Sequence, residues 1–418
     1  MVRSASRQRS LPGPGRILIV VQNLPVPFDR RVWLECQSLI AAGYQVAVVC
    51  PKGPGDPGFE VIDGVEIYKY KPYNGAGGKA AFVVEYAYSF AATLLLTIKA
   101  ARRGRLDAIQ TCNPPDIFWP IGRLFRLIQG SRFTFDHHDL CPEVYESRFP
   151  HGSRVVYKVL RLLERATVRS ADHVISTNES YRSIVIDRDG ADPERVTVVR
   201  TGPDPRKLKR VDVDPSLRRG RKHLVAYIGV MGPQDGVDIV LRAADIVVNE
   251  MDRDDIAFTL IGSGDCFDDL VALRSELGLT DVVHFTGRVP DQEVAAILST
   301  ADVGLSPDPK NSLNDVSTMN KTMEYMAFGV PVVAFDLRET RVSAGEAAVY
   351  AQPNEVDELA RLLVELVDDE VKRVSMGAAG RTRVEDELAW NHQAPRYVAV
   401  YNHLLSVSLD ETAQTARI

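Results

Sequence analysis

The chain has 418 residues, 45% hydrophobic and 25% charged, with a net charge of −6. That length is too great for one ordinary core and suits two domains of roughly 200 residues each, with the composition of a soluble globular protein. Five scattered cysteines without a CxxC pair argue against a disulfide framework or a zinc site and fit a reducing compartment. The charge is uneven. Residues 1–210 hold 31 Lys and Arg against 21 Asp and Glu, and residues 211–418 hold 19 against 35. A basic first half favours a phosphate-bearing partner or an anionic membrane surface. The acidic whole and the lack of a binding motif exclude nucleic acid as a partner.

Residues 1–15 are basic and Pro/Gly-rich, without the apolar core of a signal peptide. A disordered leader and a cytoplasmic protein are expected. Residues 16–21 (RILIVV) read as a buried parallel strand. A loop with Pro25 and Pro27 follows, then a helix from about Arg30 with Val32, Cys36, Leu39 and Ile40 on one face. Gly43 ends it, and residues 46–49 form the next strand. This β-α-β start predicts a doubly wound sheet. The first turn lacks GxGxxG and carries Phe28-Asp29-Arg30-Arg31 instead, which speaks against a nicotinamide dinucleotide.

Residues 80–98 are the most apolar run, with Glu85 alone charged and Lys99, Arg102, Arg103 and Arg105 behind it. A span there would tear apart the sheet begun by the first two strands. A buried helix, or one lying on a membrane, is therefore expected over a spanning one. Short strands at 107–110 and 133–135 flank a helical segment opened by Asn113-Pro-Pro-Asp116. The polar cluster 136–143 (DHHDLCPE) stands at a strand end. A basic amphipathic helix at 153–170 and strands at 172–176 and 196–200 complete the first half. Charged, Pro/Gly-punctuated residues at 206–222 predict a linker.

Alternation then restarts. Strands at 224–228, 257–261 and 282–285 lead into Gly229–Gly236, Gly262-Ser-Gly264-Asp265 and Thr286-Gly287-Arg288. Helices are expected at 237–249, 267–277 and 291–299. The stretch 299–339 reads as strand, polar loop, short helix, glycine stop and strand. Ser317 or Thr318 is the expected cap. Met319, Met323, Met326 and Ala327 form the inner face. Free N–H groups at such a helix start can hold an anion. Lys321 and Glu324 share a face there, suited to a phosphate and a sugar hydroxyl. The tail from about Val356 reads as helical, with Trp390, Tyr397, Tyr401 and Leu405 as apolar anchors and fraying from about Asp410. The strand-end loops of two doubly wound halves are expected to line a central cleft.

The run Lys321-Thr-Met-Glu324-Tyr-Met-Ala-Phe-Gly-Val-Pro-Val-Val333 is similar to the nucleotide-sugar half of GT-B glycosyltransferases of family 4. So are Gly-Ser-Gly-Asp265, Gly287-Arg288-Val289-Pro and Ala-Asp302-Val. Asp29-Arg-Arg-Val-Trp-Leu-Glu35, Ala-Asp172-His-Val-Ile and Thr201-Gly-Pro-Asp204 resemble the acceptor half. The resemblance covers about residues 16–405. It implies an α/β GT-B fold of two Rossmann-like domains. Residues 16–205 would be the acceptor domain and 223–390 the nucleotide-sugar domain. Residues 391–409 would be a helix packing back on the first domain, and 410–418 a tail.

The resemblance further implies a retaining hexosyltransferase. Its co-substrate would be a nucleotide-diphosphate sugar, with no other cofactor and no metal. Glu324 matches the second glutamate of the Glu-x7-Glu motif and would bond the ribose. Lys321 would reach the diphosphate, and Arg288 and Val289 flank the base. His138-Asp139 matches the histidine that contacts the donor sugar, with His137 as the alternative register. Gly262, Gly264, Ser317 and Asn320 complete the donor side. Phe28, Asp29, Arg30 and Arg31 stand on the acceptor or phosphate side.

The sequence departs from the family at three places. Val316 stands where the first glutamate belongs, with Asn314 or Asp315 as its replacement. Val230 and Asp235 stand where an Arg and a Lys are usual, and Lys310, Lys321, Arg288, Arg30 and Arg31 are the substitutes. Pro27-Phe28-Asp29 replaces a Gly-Gly pair. The acceptor would be a hydroxyl on a lipid-linked or polysaccharide precursor. The enzyme would be cytoplasmic and peripheral at the inner face of a membrane. A nucleotide-sugar epimerase of the same fold and a non-catalytic nucleotide-sugar or glycan-binding protein are the rival readings.

Overall fold

The computed structural model describes residues 14–73, 79–204 and 207–415, with side chains described except at 79–82 and beyond 405. Most of the expected leader, residues 205–206 at the expected domain boundary and the last three residues lie outside them.

In chain order the elements are β1 (Arg16–Val20), α1 (Arg30–Ala41), β2 (Gln45–Pro51), β3 (Phe59–Ile62), β4 (Val65–Tyr70), α2 (Lys79–Ala101) and β5 (Ala108–Cys112). Next come α3 (Trp119–Gln129), β6 (Arg132–His137), α4 (Cys141–Arg148), α5 (Arg154–Ser170), β7 (His173–Ser176), α6 (Glu179–Asp189) and β8 (Val196–Val198). The second half follows with β9 (His223–Ile228), α7 (Val237–Asp245), β10 (Ile256–Ile261), α8 (Phe267–Glu276), β11 (Val283–Gly287), α9 (Asp291–Thr300) and β12 (Val303–Ser306). It ends with α10 (Asn320–Ala327), β13 (Val332–Phe335), α11 (Arg338–Ala344), β14 (Ala348–Ala351), α12 (Val356–Asp368), α13 (Glu370–Arg383) and α14 (Trp390–Thr415).

The chain forms two compact units. The first holds residues 1–142, 154–199 and 394–418, and the second holds 143–153 and 200–393. Sheet order in the first is β3-β4-β2-β1-β5-β6-β7-β8, and only β3 runs antiparallel. In the second it is β11-β10-β9-β12-β13-β14, wholly parallel. The order reverses beside β1/β5 and beside β9/β12, the switch points where ligands of doubly wound sheets bind. The central strands are apolar because helices cover both faces: every residue of β1, β5, β10 and β12 is buried.

Ile109 and Phe133 are register partners, so they share a face of the first sheet. Ile109 packs in one core with α2 and α3. Phe133 meets Gly122 of α3, and Phe135, two residues on, packs with Val168 of α5. Helices α2, α3 and α5 thus cover one face. The other face carries α1 and α14, where Glu35, Tyr397 and Tyr401 reach Gln110 of β5. The anchors expected from the tail are buried: Trp390, Tyr397, Tyr401 and Leu405. Gln110 adds polar bonds that no apolar pattern foretold.

Helix α2 is half-buried on the sheet, and two local expectations, the α10 cap and the end of the last helix, differ. Helix α2 seats Ser89, Thr93, Thr97 and Ala100 inward and leaves Val83 and Leu95 exposed. Neither Ser317 nor Thr318 caps α10; the cap position is Met319, without a side-chain bond. A 3-10 turn over Asn314–Val316 takes up the chain first, and Ser317 Oγ donates to Leu313 O at 2.8 Å instead. The last helix continues through Thr415, where fraying was expected from Asp410.

Candidate functional site

In the second unit the switch point is built around Lys321. The side chain projects from the first turn of α10 and is buried. Its Nζ pairs with Asp308, which is itself buried and takes Ser306 Oγ at 2.8 Å. Nζ lies 5.4 Å from the ring centroid of Tyr227, and a Cβ on Gly229 would approach Lys321 Cε to 3.2 Å. Burial works against the ammonium charge, but Asp308 and Asp235 outweigh it and hold the Lys321 pKa above its ordinary value. Burial raises Asp235 to about 6, with Lys321 pulling the other way. Asp235 also accepts from Gly232 N at 2.9 Å, which shapes the turn after β9.

That turn needs its glycines. A Cβ on Gly262 would sit 1.9 Å from Gly229 O, and Gly262 has φ +134°. The turns after β9 and β10 therefore touch backbone to backbone. Tyr325 locks the same corner: its hydroxyl donates to Leu305 O and accepts from Ile228 N, both at 2.9 Å. A Cβ on Gly304 would strike the Tyr325 ring.

The remaining donor-side residues fall around this corner. Glu324 is half-buried, one turn beyond Lys321 on α10; Asn320 and Arg288 are exposed, and Val289 packs half-buried against the core. Asn314 is buried, and its amide donates to Gln234 O at 2.9 Å and Pro309 O at 2.8 Å, so both donors are committed to shaping the loop. Asp315 accepts from Arg338 N at 3.1 Å and lies 3.4 Å from Lys310 Nζ. Lys310 is further tied through its N–H to Asn354 at 2.7 Å. The usual cation places hold Val230, which is exposed, and Asp235.

The first unit has its own cluster at its switch point. Asn113, at the end of β5, accepts from His138 N at 2.6 Å and Asp139 N at 3.1 Å, and donates to Asp139 O at 2.6 Å. It clamps the backbone that carries the expected sugar-contacting histidine. His138 Nε2 stands 2.5 Å from Asp136 Oδ2. Arg31 Nη2 donates to Asp136 Oδ1 at 2.8 Å, and Nη1 to Val199 O at 3.0 Å. Arg31 Nε lies 3.2 Å from Asp136 Oδ2 and 2.9 Å from His138 Nε2. A ring nitrogen cannot donate to the carboxylate and accept from Arg31 at once. The short contact assigns the proton to Nε2, donated to Asp136. Burial raises the Asp136 pKa, but Arg31 and His138 outweigh it and hold the carboxyl far below its usual range. Burial pushes Glu35 well above its ordinary value, aided by Asp136.

Arg31 is thus buried and committed to Asp136 and Glu35 rather than turned outward for a phosphate. Asp29 caps α1 by accepting from Val32 N at 3.0 Å. Phe28 and Arg30 are exposed. His137 does not share the surroundings of His138: it is fully buried, with Nε2 3.3 Å from Glu164. Cys112, Asp136 and His138 offer metal-ligand atoms within 4.8 Å of one another. They do not fit an ion, because Arg31 already neutralises the carboxylate and burial keeps the Cys112 thiol protonated.

Asp308, Tyr325, Asp136 and Asn113 carry no role of their own in the sequence, although Asp136 lies in the strand-end cluster 136–143 and Asn113 stands at a strand end beside two prolines.

Residues 222–369 match the family described as "Glycosyl transferases group 1", and residues 29–202 match "Glycosyl transferase 4-like domain". The 2-deoxystreptamine glucosyltransferase of Streptomyces kanamyceticus is 26% identical over 330 residues, 75% of this chain and 82% of that one. A GDP-mannose-dependent monoacylated alpha-(1-6)-phosphatidylinositol monomannoside mannosyltransferase of Corynebacterium glutamicum is 32% identical over 171 residues, 39% of this chain and 43% of that one. Among solved structures, sucrose-phosphate synthase from Thermosynechococcus elongatus superposes with a TM-score of 0.77 at 18% identity, covering 94% of this chain and all of the other. With both halves matched in sequence and both sheets in Rossmann order, the chain belongs to the GT-B glycosyltransferases of family 4.

Proposed function

We propose that this glycosyltransferase moves a sugar, with retention, from a nucleotide-diphosphate donor to a hydroxyl on a lipid-linked or polysaccharide precursor. It works in the cytoplasm, at the inner face of a membrane, and without a metal ion. The observation that carries the donor assignment is Lys321 at the second switch point, kept charged by Asp308 in the first turn of α10. Negative charge grows on the diphosphate as it leaves, and a fixed ammonium at the N-terminal end of α10 stabilises it. Glu324 takes the ribose hydroxyls. His138, with Nε2 held by Asp136, presents Nδ1 as an acceptor for a donor-sugar hydroxyl. The leaving phosphate itself takes the acceptor's proton, so no carboxylate pair at glycosidase spacing is required.

The GDP-mannose named for the C. glutamicum relative supports a nucleotide sugar as donor, and its phosphatidylinositol mannoside supports a lipid-linked acceptor. The test is a panel of nucleotide sugars with extracted lipid acceptors, reading released nucleoside diphosphate. Acceptor-dependent release is expected, and Lys321→Ala and Glu324→Ala should each lower it by about 100-fold or more. Release near wild type in both variants overturns the donor assignment. A changed sugar without release would make the enzyme an epimerase.

A further inference from the structure

Three helices on one sheet face of the first unit expose large apolar residues in addition to those they bury. A surface helix of a globular protein turns its apolar stripe inward. Helix α2 packs Phe90, Leu94 and Ile98 against the core and carries a second apolar stripe outward. At four-residue spacing it buries Ser89, Thr93 and Thr97 against the sheet and exposes Val83, Ala87, Ala91 and Leu95. Its neighbours on the same sheet face also expose large apolar residues, although α3 buries Ile121 and Phe125 beneath them. Val83 is 70% and Leu95 67% exposed on α2, Leu127 85% and Ile128 64% on α3, and Val155 69% and Leu162 66% on α5.

The charges on these helices have one sign. Helices α2, α3 and α5 carry nine Lys or Arg against two Glu. Neither acid is presented to solvent as an open charge. Glu85 is half-buried and takes Gln22 Nε2 at 3.2 Å, and Glu164 is buried against Arg188. On the outer face of α5, Lys158 and Arg165 alternate with Val155 and Leu162. Lys99 and Arg102 close the exposed stripe of α2. These four cations are exposed and form no ion pair among the described residues.

We propose that this three-helix face docks flat on an anionic lipid bilayer. Exposed aliphatic side chains enter the boundary between headgroups and acyl chains, and the interleaved cations meet the lipid phosphates. Helix α2 is long and apolar enough to cross a membrane by length and composition. Its inward Ser89, Thr93, Thr97 and Ala100 are seated on the sheet, so it lies on the bilayer rather than through it. A protein partner would need a complementary acidic patch; the uniform positive charge fits a surface of uniform negative charge. The inference adds a surface to the proposed lipid-linked acceptor and stands on evidence separate from the donor site.

The test is co-sedimentation of the full chain with vesicles of phosphatidylcholine alone or with about one-third phosphatidylglycerol. The expected result is at least a ten-fold higher bound fraction on the anionic vesicles. Leu127→Asp with Leu162→Asp should reduce it about ten-fold, and so should Lys158→Glu with Arg165→Glu. All four side chains are at the surface, so the thermal midpoint should stay that of wild type. Wild-type protein left in the supernatant with both vesicles, equal binding to both, or variants that bind as wild type would each overturn the proposal. So would light scattering that shows a dimer lost in the leucine variant, since a second copy would then cover the face. Vesicle binding without sugar transfer would sink the transferase acceptor reading and leave the docking face standing.

Discussion

His138 Nε2 lies 2.5 Å from Oδ2 of Asp136, and the other oxygen of that carboxylate takes Arg31 Nη2 at 2.8 Å. Arg31 thereby keeps Asp136 ionised, and Asp136 fixes which nitrogen of His138 carries the proton. Asp136→Asn should lower turnover about 10- to 100-fold, the usual cost of losing an orienting partner. It should also leave the Arg31 guanidinium buried without its anion and lower stability by about 3–5 kcal/mol. Steady-state kinetics and urea denaturation read the two effects. Full turnover in a folded variant would show that the tautomer is immaterial.

Lys321 and Asp308 can be separated by a pair of substitutions. Lys321→Ala strands a buried carboxylate and should cost about 3–5 kcal/mol of stability together with donor turnover. The double variant Lys321→Met/Asp308→Leu removes both charges. It should recover most of the stability but none of the turnover, since apolar replacement of a buried pair is often close to neutral. Denaturation midpoints and diphosphate release distinguish these outcomes. Recovered turnover in the double variant would remove Lys321 from the diphosphate site.

Gly262→Ala should be among the most damaging single-methyl changes in the second unit. Its Cβ would fall 1.9 Å from Gly229 O at φ +134°, so both steric contact and backbone strain oppose it. The strain alone is of order 1–3 kcal/mol. A thermal melt within a degree or so of wild type would mean that the turns after β9 and β10 need not touch.

A buried acid cluster in the first unit sets a pH dependence. Burial raises Asp116 to about 7, with Glu164 adding to it, and raises Asp189 to about 6. Burial lowers His137, but Glu164 outweighs it, so His137 is also raised. Groups raised on folding bind protons more tightly in the folded state. Their stabilising contribution is full below the unfolded pKa and is lost as pH rises through the folded one. The contribution of this cluster to stability should therefore decline between about pH 4 and 7. Asp116→Asn should flatten that decline and raise the melting temperature at pH 8 relative to wild type, with an upper bound of about 4 kcal/mol. Melting curves at pH 5 and pH 8 check the sign. An Asp116→Asn variant whose melting temperature changes with pH as the wild type does would contradict it.

Periodicity in the sequence determined the doubly wound sheets. β-Branched runs such as residues 16–21, alternating with helical spacing and glycine stops, leave little choice of layer arrangement. The motif around Lys321 and Glu324 was legible too, because a glycine-stopped helix between two strands must begin at the carboxyl edge of the sheet. The β3–β4 hairpin, β14 and helices α4 and α6 were not legible: their short strands or polar helices lack a sustained apolar period.

The tertiary structure alone decided which charges are exposed and which are enclosed. Arg30 and Arg31 are neighbours in sequence, yet one is exposed and the other is enclosed by Asp136, Glu35 and Val199 O. Lys321 resembles a free cation in sequence but is paired with Asp308, 13 residues earlier. The same holds for α2, whose apolar run fixes a helix without fixing its rotation. Rotation follows from how the sheet below accepts Ser89, Thr93 and Thr97. Local sequence sets backbone periodicity, whereas the burial and pairing of a charge depend on residues brought together from distant parts of the chain.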